Sequence, residues 1–378
     1  MNSRERTLAT LLFGKPDRVP LQVGGGREST RNRWHAEGLP EAGLPPGGYP
    51  EYAYRLAGGT LPWPSGGPGF AVDHRMMPAF EEKVLEVRAD SQVVQDWKGN
   101  ICEIGLEFSP VYLRNAIDFV TRRWIRCPVE SREDWKDMKW RYDAADPRRL
   151  PEDAEVRGPR LANREHYLAW SFHGPFWQLR EWCGFEGLCM LFLDDPAFVR
   201  EMVEFWSDYI DALLRRALAL VVPDEVHLSE DMAFKGYSMI SPAMTREFLT
   251  PCYRRWHDTI RAAGVPVYAM DSDGFIGELI PIWIECGFDT CDPVEVAAGN
   301  DIAAFRREFG RDMAYRGGVD KRAMAKGGDA LRAEIERLAP VVADGGYIPG
   351  CDHGVPADVS WANYVETTRL LARVTGWL

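Results

Sequence analysis

The sequence predicts an α/β fold, a (β/α)8 TIM barrel with a β-rich insertion in its N-terminal third. Three observations carry this expectation. From residue 167 onward, short apolar runs of strand length alternate with longer runs of helical period. The ends of those short runs, where the active-site loops of a barrel begin, hold polar side chains rather than apolar ones. A length of 378 residues suits one barrel with insertions, and residues 1–378 are read as a single domain.

Taken in order, residues 4–13 form a short amphipathic helix closed by Gly14 and Pro16. Residues 18–23 read as the first strand, running into Gly24-Gly25-Gly26. Pro and Gly crowd residues 38–69, which are therefore loop with at most brief helices, and 70–74 is a weaker strand candidate. Residues 82–125 alternate apolar and polar side chains around a Lys98-Gly99-Asn100 turn, the pattern of an antiparallel insertion. A short exposed helix with Ser131 as its cap follows.

The regular part then begins. Strands are expected at 167–173, Glu225–Ser229, 265–270, 288–291, 313–317 and 347–349. Helices are expected at 176–192, 196–220, 242–263, 276–286, 301–309, 321–343 and 360–375. With 18–23 and 70–74 this makes eight strands. A doubly wound open sheet is the other fold considered, but Gly24-Gly25-Gly26 is not the GxGxxG turn that such a sheet places after its first strand.

Composition bounds the function. Hydrophobic residues make up 46% and charged residues 27%, with a formal charge of −12, so no basic stripe invites nucleic acid. No apolar run reaches the roughly 18 to 20 residues that span a bilayer, and the N-terminus lacks the apolar core of a signal peptide. A cytoplasmic enzyme acting on a small molecule is expected, and a homodimer is compatible with the sequence. The eight cysteines contain no CxxC pair and read as free thiols.

At the expected mouth stand Arg27 and Arg31; Asp73 and His74; His173; Glu230 and Asp231; Asp271 and Asp273; Cys291 and Asp292; Arg316; Cys351 and His353. Glu230, Asp273, Cys351 and His353 supply the oxygen, sulfur and nitrogen donors that zinc accepts, and a zinc with an open position polarises a bound oxygen. Cys351 reads equally well as a small buried residue of the last βα turn. Arg27 and Arg31 can clamp a substrate carboxylate, or be surface charge. Asp271 and Asp273 flank Ser272, so one is expected to cap the helix that follows and the other to carry a proton. His173, Trp177, Asp271 and Arg316 complete the expected substrate contacts. Of the many aromatics, Trp170, Phe172, Phe176, Trp177, Trp182 and Phe234 stand near strand ends and can wall an aromatic pocket.

Several segments resemble the uroporphyrinogen decarboxylase-like superfamily, closest to its corrinoid- and zinc-dependent methyltransferase branch. They are RERTLATLLFGKPDRVP, RNRWHAEGLP, GPFWQLREWCGFEG, EDMAFKGYSMISPAMTREFLTPCYRR, DSDG, Gly317-Gly318-Val319-Asp320 and DHGVP. The resemblance spans nearly the whole chain and is weakest across 45–150. It implies a TIM barrel. The decarboxylases carry RQAGR where this chain has GGGRESTR, and a Tyr where it has Trp182; only His353 matches a family catalytic residue. The methyltransferases carry His-x-Cys-Gly where this chain has Asp271-Ser272-Asp273-Gly274, and a later Cys that matches Cys351.

Three functions follow. The first is transfer of a methyl group from a small donor, such as a methoxylated aromatic, to a corrinoid on a separate partner protein. Zinc acts there as Lewis acid, with His353, Asp273 and Glu230 catalytic. The second is cofactor-independent decarboxylation, with Arg27 and Arg31 binding carboxylates and His353 or Asp273 giving the proton. The third is a non-catalytic binding protein built on the same barrel.

Overall fold

The computed structural model describes residues 1–64, 66–115 and 120–378; the insertion expected at 82–125 and the loop at 38–69 are therefore assessed without 116–119 and 65. The insertion is an antiparallel sheet of β1 (Lys83–Val87), β2 (Ser91–Gln95), β3 (Ile101–Gly105) and β4 (Arg123–Arg126), in that order. Val94, Cys102, Ile104, Leu113 and Val120 form a small core of their own on it. The expected alternation of side chains gives β3 its buried face, whereas Gln92, Val93 and Val94 of the central strand β2 are buried in succession.

The main sheet is parallel. Its strands are β5 (Ala169–His173), β6 (Glu225–Ser229), β9 (Val267–Asp271), β10 (Thr290–Asp292), β11 (Ala314–Val319) and β12 (Tyr347–Cys351), and a two-stranded hairpin of β7 (Ala233–Phe234) and β8 (Tyr237–Ser238) interrupts the series. The spatial order is β12-β11-β10-β9-β6-β5. The fold is the expected TIM barrel, with two of its eight strands less regular than anticipated. Segment 18–23 is extended and lies along β12, where the Cys351 N–H donates to the Val23 carbonyl at 3.0 Å and Gly26 bridges Val355 in parallel. Segment 70–74 lies along β5, where the His173 N–H donates to His74 Nε2 at 3.3 Å and Phe70 packs on Trp170. Pro20 lies within the first stretch and Pro68 just before the second; neither proline can donate to a ladder, which is one reason neither stretch becomes a full strand.

Helices cover the outside. Pro196–Leu218 presents Val199, Met202, Val203, Trp206, Ile210, Leu213 and Leu214 to the core at three- and four-residue spacing. Two expected helices are split: 176–192 into Pro175–Cys183 and Phe185–Asp194 at Gly184, and 321–343 into Lys321–Lys326 and Gly328–Asp344 at Gly327. The helix Arg132–Lys139 has the expected Ser131 cap but is not simply exposed. Trp135 and Met138, three residues apart on one face, are buried, and Trp135 packs on Trp182 with ring centroids 4.6 Å apart. Among the described residues no helix is long and apolar enough to cross a membrane.

Candidate active site

Period-two alternation turns Glu225, His227 and Ser229 of β6 to one side of the sheet. Register sets Ser229 beside Asp271 and Asp271 beside Asp292, so three strand ends deliver polar side chains to one level. Below that level, Arg316 of β11 reaches Glu225 of β6, three strands away, with Nη1 2.8 Å from Oε1. Tyr167 donates to the same carboxylate at 2.7 Å, and Asp292 Oδ2 lies 3.6 Å from Arg316 Nη1. Arg316, expected as a substrate contact, is paired with this buried acid inside the barrel and neutralises it. His227 Nε2 stands 3.4 Å from Asp292. Burial alone would lower this imidazole, but Asp292 and Glu225 hold it up at about 9.

Above lies the acidic floor of the mouth. Among the described residues, one set of three His, Cys, Asp or Glu side chains converges with ligand atoms within 4.8 Å of one another: Asp231, Asp271 and Asp273. Burial, with the Asp292 charge beside it, raises Asp271 to about 7. Burial, with the Asp273 charge beside it, also raises Asp231. Asp231 holds a left-handed φ of 40°, and its Oδ1 accepts from the Asp273 N–H at 3.3 Å. Gly274 follows Asp273 with φ 84°, and a Cβ there would stand 2.3 Å from the Ala233 carbonyl carbon; this close approach brings the two loops together. Neither Asp271 nor Asp273 caps a helix, because the next one, Ile280–Glu285, starts later and the Ile276 N–H goes to Asn300 instead.

His353 Nε2 is 3.0 Å from Asp273 Oδ2. Its Nδ1 faces two donors, the Gly354 N–H at 2.7 Å and Arg27 Nη2 at 3.0 Å, which select the neutral tautomer with its proton on Nε2. The hydrogen bond to Asp273 raises the His353 pKa. Arg27 is therefore part of the mouth. Arg31, in the helix Glu28–Ala36, makes no hydrogen bond from its buried Nε and does not join this chain of contacts.

Two expected ligands stand apart. Glu230 is fully buried and caps the helix Pro175–Cys183: it accepts from the Trp177 N–H at 2.8 Å and from the Tyr253 hydroxyl. Burial pushes its pKa up to about 7. Cys351 ends β12 in the core at 6% exposure, and burial together with the Asp352 charge pushes its thiol up to about 12. Of the expected zinc donors Glu230, Asp273, Cys351 and His353, Asp273 alone belongs to the carboxylate cluster, with His353 bonded to it. Asp231, adjacent to Glu230, stands at the mouth as its strand end predicts, but no catalytic, binding or ligand role was expected of it; its signal was a second acid at the same strand end.

His173 packs against His74 with ring centroids 4.6 Å apart, and its Nδ1 lies 3.2 Å from Gln178. Burial lowers both imidazoles. Trp177 packs beside His173, and its buried indole Nε1 has no hydrogen-bond partner among the described residues. Of the other aromatics expected at a pocket, Trp170, Phe172, Phe176 and Trp182 are core, while Phe234 is 49% exposed. Arg180, absent from the expected set, donates from Nη1 to the Asp231 carbonyl at 2.7 Å and stacks on Trp177.

A family profile described as uroporphyrinogen decarboxylase (URO-D) matches residues 169–371. No curated protein matches the chain. Among solved structures, a methyltransferase from Methanosarcina mazei superposes over 100% of this chain and 98% of its own, with TM-score 0.57 and 15% identity. A B12-independent methionine synthase from Shewanella sp. W3-18-1 covers 60% of this chain and 65% of its own, with TM-score 0.38 and 11% identity. At such identity the Methanosarcina likeness speaks for the fold.

Proposed function

The chain belongs to the uroporphyrinogen decarboxylase family, and from that membership and the chemistry of its mouth we propose that it is a methyltransferase. It moves a methyl group from a small donor, an aryl methyl ether being the form considered, to a corrinoid carried by a separate protein. The observation that carries this reading is the convergence of Asp231, Asp271 and Asp273. Three carboxylates at that spacing repel a polycarboxylate substrate and suit a divalent cation. The cations near them are engaged: Arg316 with Glu225, Arg180 with the Asp231 carbonyl, Arg27 with His353. That arrangement disfavours the decarboxylase reading, which needs them for substrate carboxylates.

Burial first, and neighbouring carboxylate charge second, raise Asp231 and Asp271; a bound cation would answer the second, and three converging carboxylates fit a divalent ion, zinc among those that accept them. Bound there, such an ion would act as a Lewis acid on the leaving oxygen. The protein's own groups position the reaction. His353, fixed in one tautomer by Gly354 and Arg27, holds Asp273 through its Nε2 proton. Arg180 fixes the Asp231 turn, and the unpartnered Trp177 N–H is a donor for a substrate oxygen.

Metal analysis of the purified chain beside Asp231→Asn and Asp273→Asn tests this, followed by methyl transfer from a methoxylated aromatic to added reduced corrinoid. About one divalent ion per chain is expected, lost in both variants together with transfer. Carbon dioxide release from a carboxylate donor by metal-free protein would overturn the reading.

A further inference from the structure

A second space adjoins the mouth. A cavity of about 770 Å³ lies between β4 and the helices Pro175–Cys183 and Phe185–Asp194, within the size range of small-molecule sites. Its walls include Trp124, Ile125, Phe185 and Met190, which are 54%, 46%, 45% and 52% exposed. Four large apolar side chains left uncovered around one concavity mark a place where something apolar binds. Two of the four are aromatic rings and a third is a thioether, surfaces that favour a flat ring.

The charges at the inner end define the rest of the ligand. Lys98 and Glu181 both line the cavity and pair with each other, so neither calls for a counter-charge. Arg126 lines it too but is paired with Glu130 and Asp134, while Glu186 and Asp194 add further negative charge, which disfavours an anion. Arg180 belongs to both spaces: it lines the cavity, and its Nη1 holds the Asp231 carbonyl at 2.7 Å. Arg180 thus ties the cavity wall to the backbone of the loop that carries Asp231.

We propose that this cavity binds an uncharged aromatic group, and that this group is the arm of the substrate whose reacting end lies among Asp231, Asp271 and Asp273. The second half rests on the reading of the mouth given above. It makes the insertion a specificity element, because Trp124 and Ile125 come from its outer strand.

The probe is N-phenyl-1-naphthylamine, an uncharged aromatic whose fluorescence rises in apolar sites, titrated into the full chain. Saturable binding at one site is expected, weakened at least tenfold by Trp124→Ala and by Met190→Glu, unchanged in Asp273→Asn, and reversed by 2-methoxyphenol. Both cavity side chains are more than half exposed, so neither change threatens the fold; circular dichroism verifies this. Absence of saturable binding, or binding that neither cavity variant weakens, overturns the inference. The probe needs neither metal nor turnover. A chain that binds it and transfers no methyl group supports the cavity and refutes the functional reading; a chain that transfers methyl groups and binds no probe refutes the cavity alone.

Discussion

His353 Nε2 and Asp273 Oδ2, 80 residues apart in sequence, stand 3.0 Å from each other across the mouth of the barrel. The carboxylate favours the imidazolium and so raises the His353 pKa. Asp273→Asn removes that charge, and the His353 ring is expected to titrate at lower pH than in the wild type. Histidine ring resonances followed by NMR against pH measure the shift; an unchanged midpoint would separate the two residues functionally.

Arg316 and Glu225 form a buried pair inside the barrel. Glu225→Gln leaves the guanidinium with Asp292 alone and is expected to cost about 3 to 5 kcal/mol. Replacing both partners with apolar residues, Arg316→Met with Glu225→Leu, is expected to recover most of that loss. Urea unfolding of Arg316→Met, Glu225→Leu and the double variant checks the cycle, and additive losses would contradict the pairing.

Glu230 makes stability depend on pH. Its carboxyl is raised from 4.5 to about 7, chiefly by burial. Its contribution is therefore full below the unfolded value and lost as pH rises through about 7. That loss is on the order of 3 kcal/mol. Unfolding free energies at acid and alkaline pH should differ less in Glu230→Gln than in the wild type by roughly this amount.

Gly274 lies where a side chain has no room. Its φ is 84°, and a Cβ would meet the Ala233 backbone at 2.3 Å. Gly274→Ala is expected to cost at least about 1 kcal/mol. It should also move the Asp273 loop, weakening divalent-ion binding by about tenfold or more. Thermal melts and metal titration of the variant measure both effects.

Much of this was legible in the chain. Alternation of short apolar runs with amphipathic helices determined the barrel, because period-two and 3.6-residue patterns are local properties of sequence. Strand Glu225–Ser229 was read to the residue. The strand ends at Asp271-Ser272-Asp273 and Cys351-Asp352-His353 announced a polar mouth, since a barrel sends its strand ends to one face. Tertiary structure alone decided which of these side chains meet. Glu230 and Asp231 are adjacent, yet the left-handed turn at Asp231 sends one acid to the mouth while the other caps a helix from a different βα unit. Cys351 and His353 part in the same way, one in the core and the other on Asp273. Arg316 finds Glu225 three strands away, a partner that spacing along the chain cannot reveal. Local pattern specifies which elements form and which ends are polar. Pairing across the barrel depends on register and on loop backbone angles, and those are set only when all the strands close around one core.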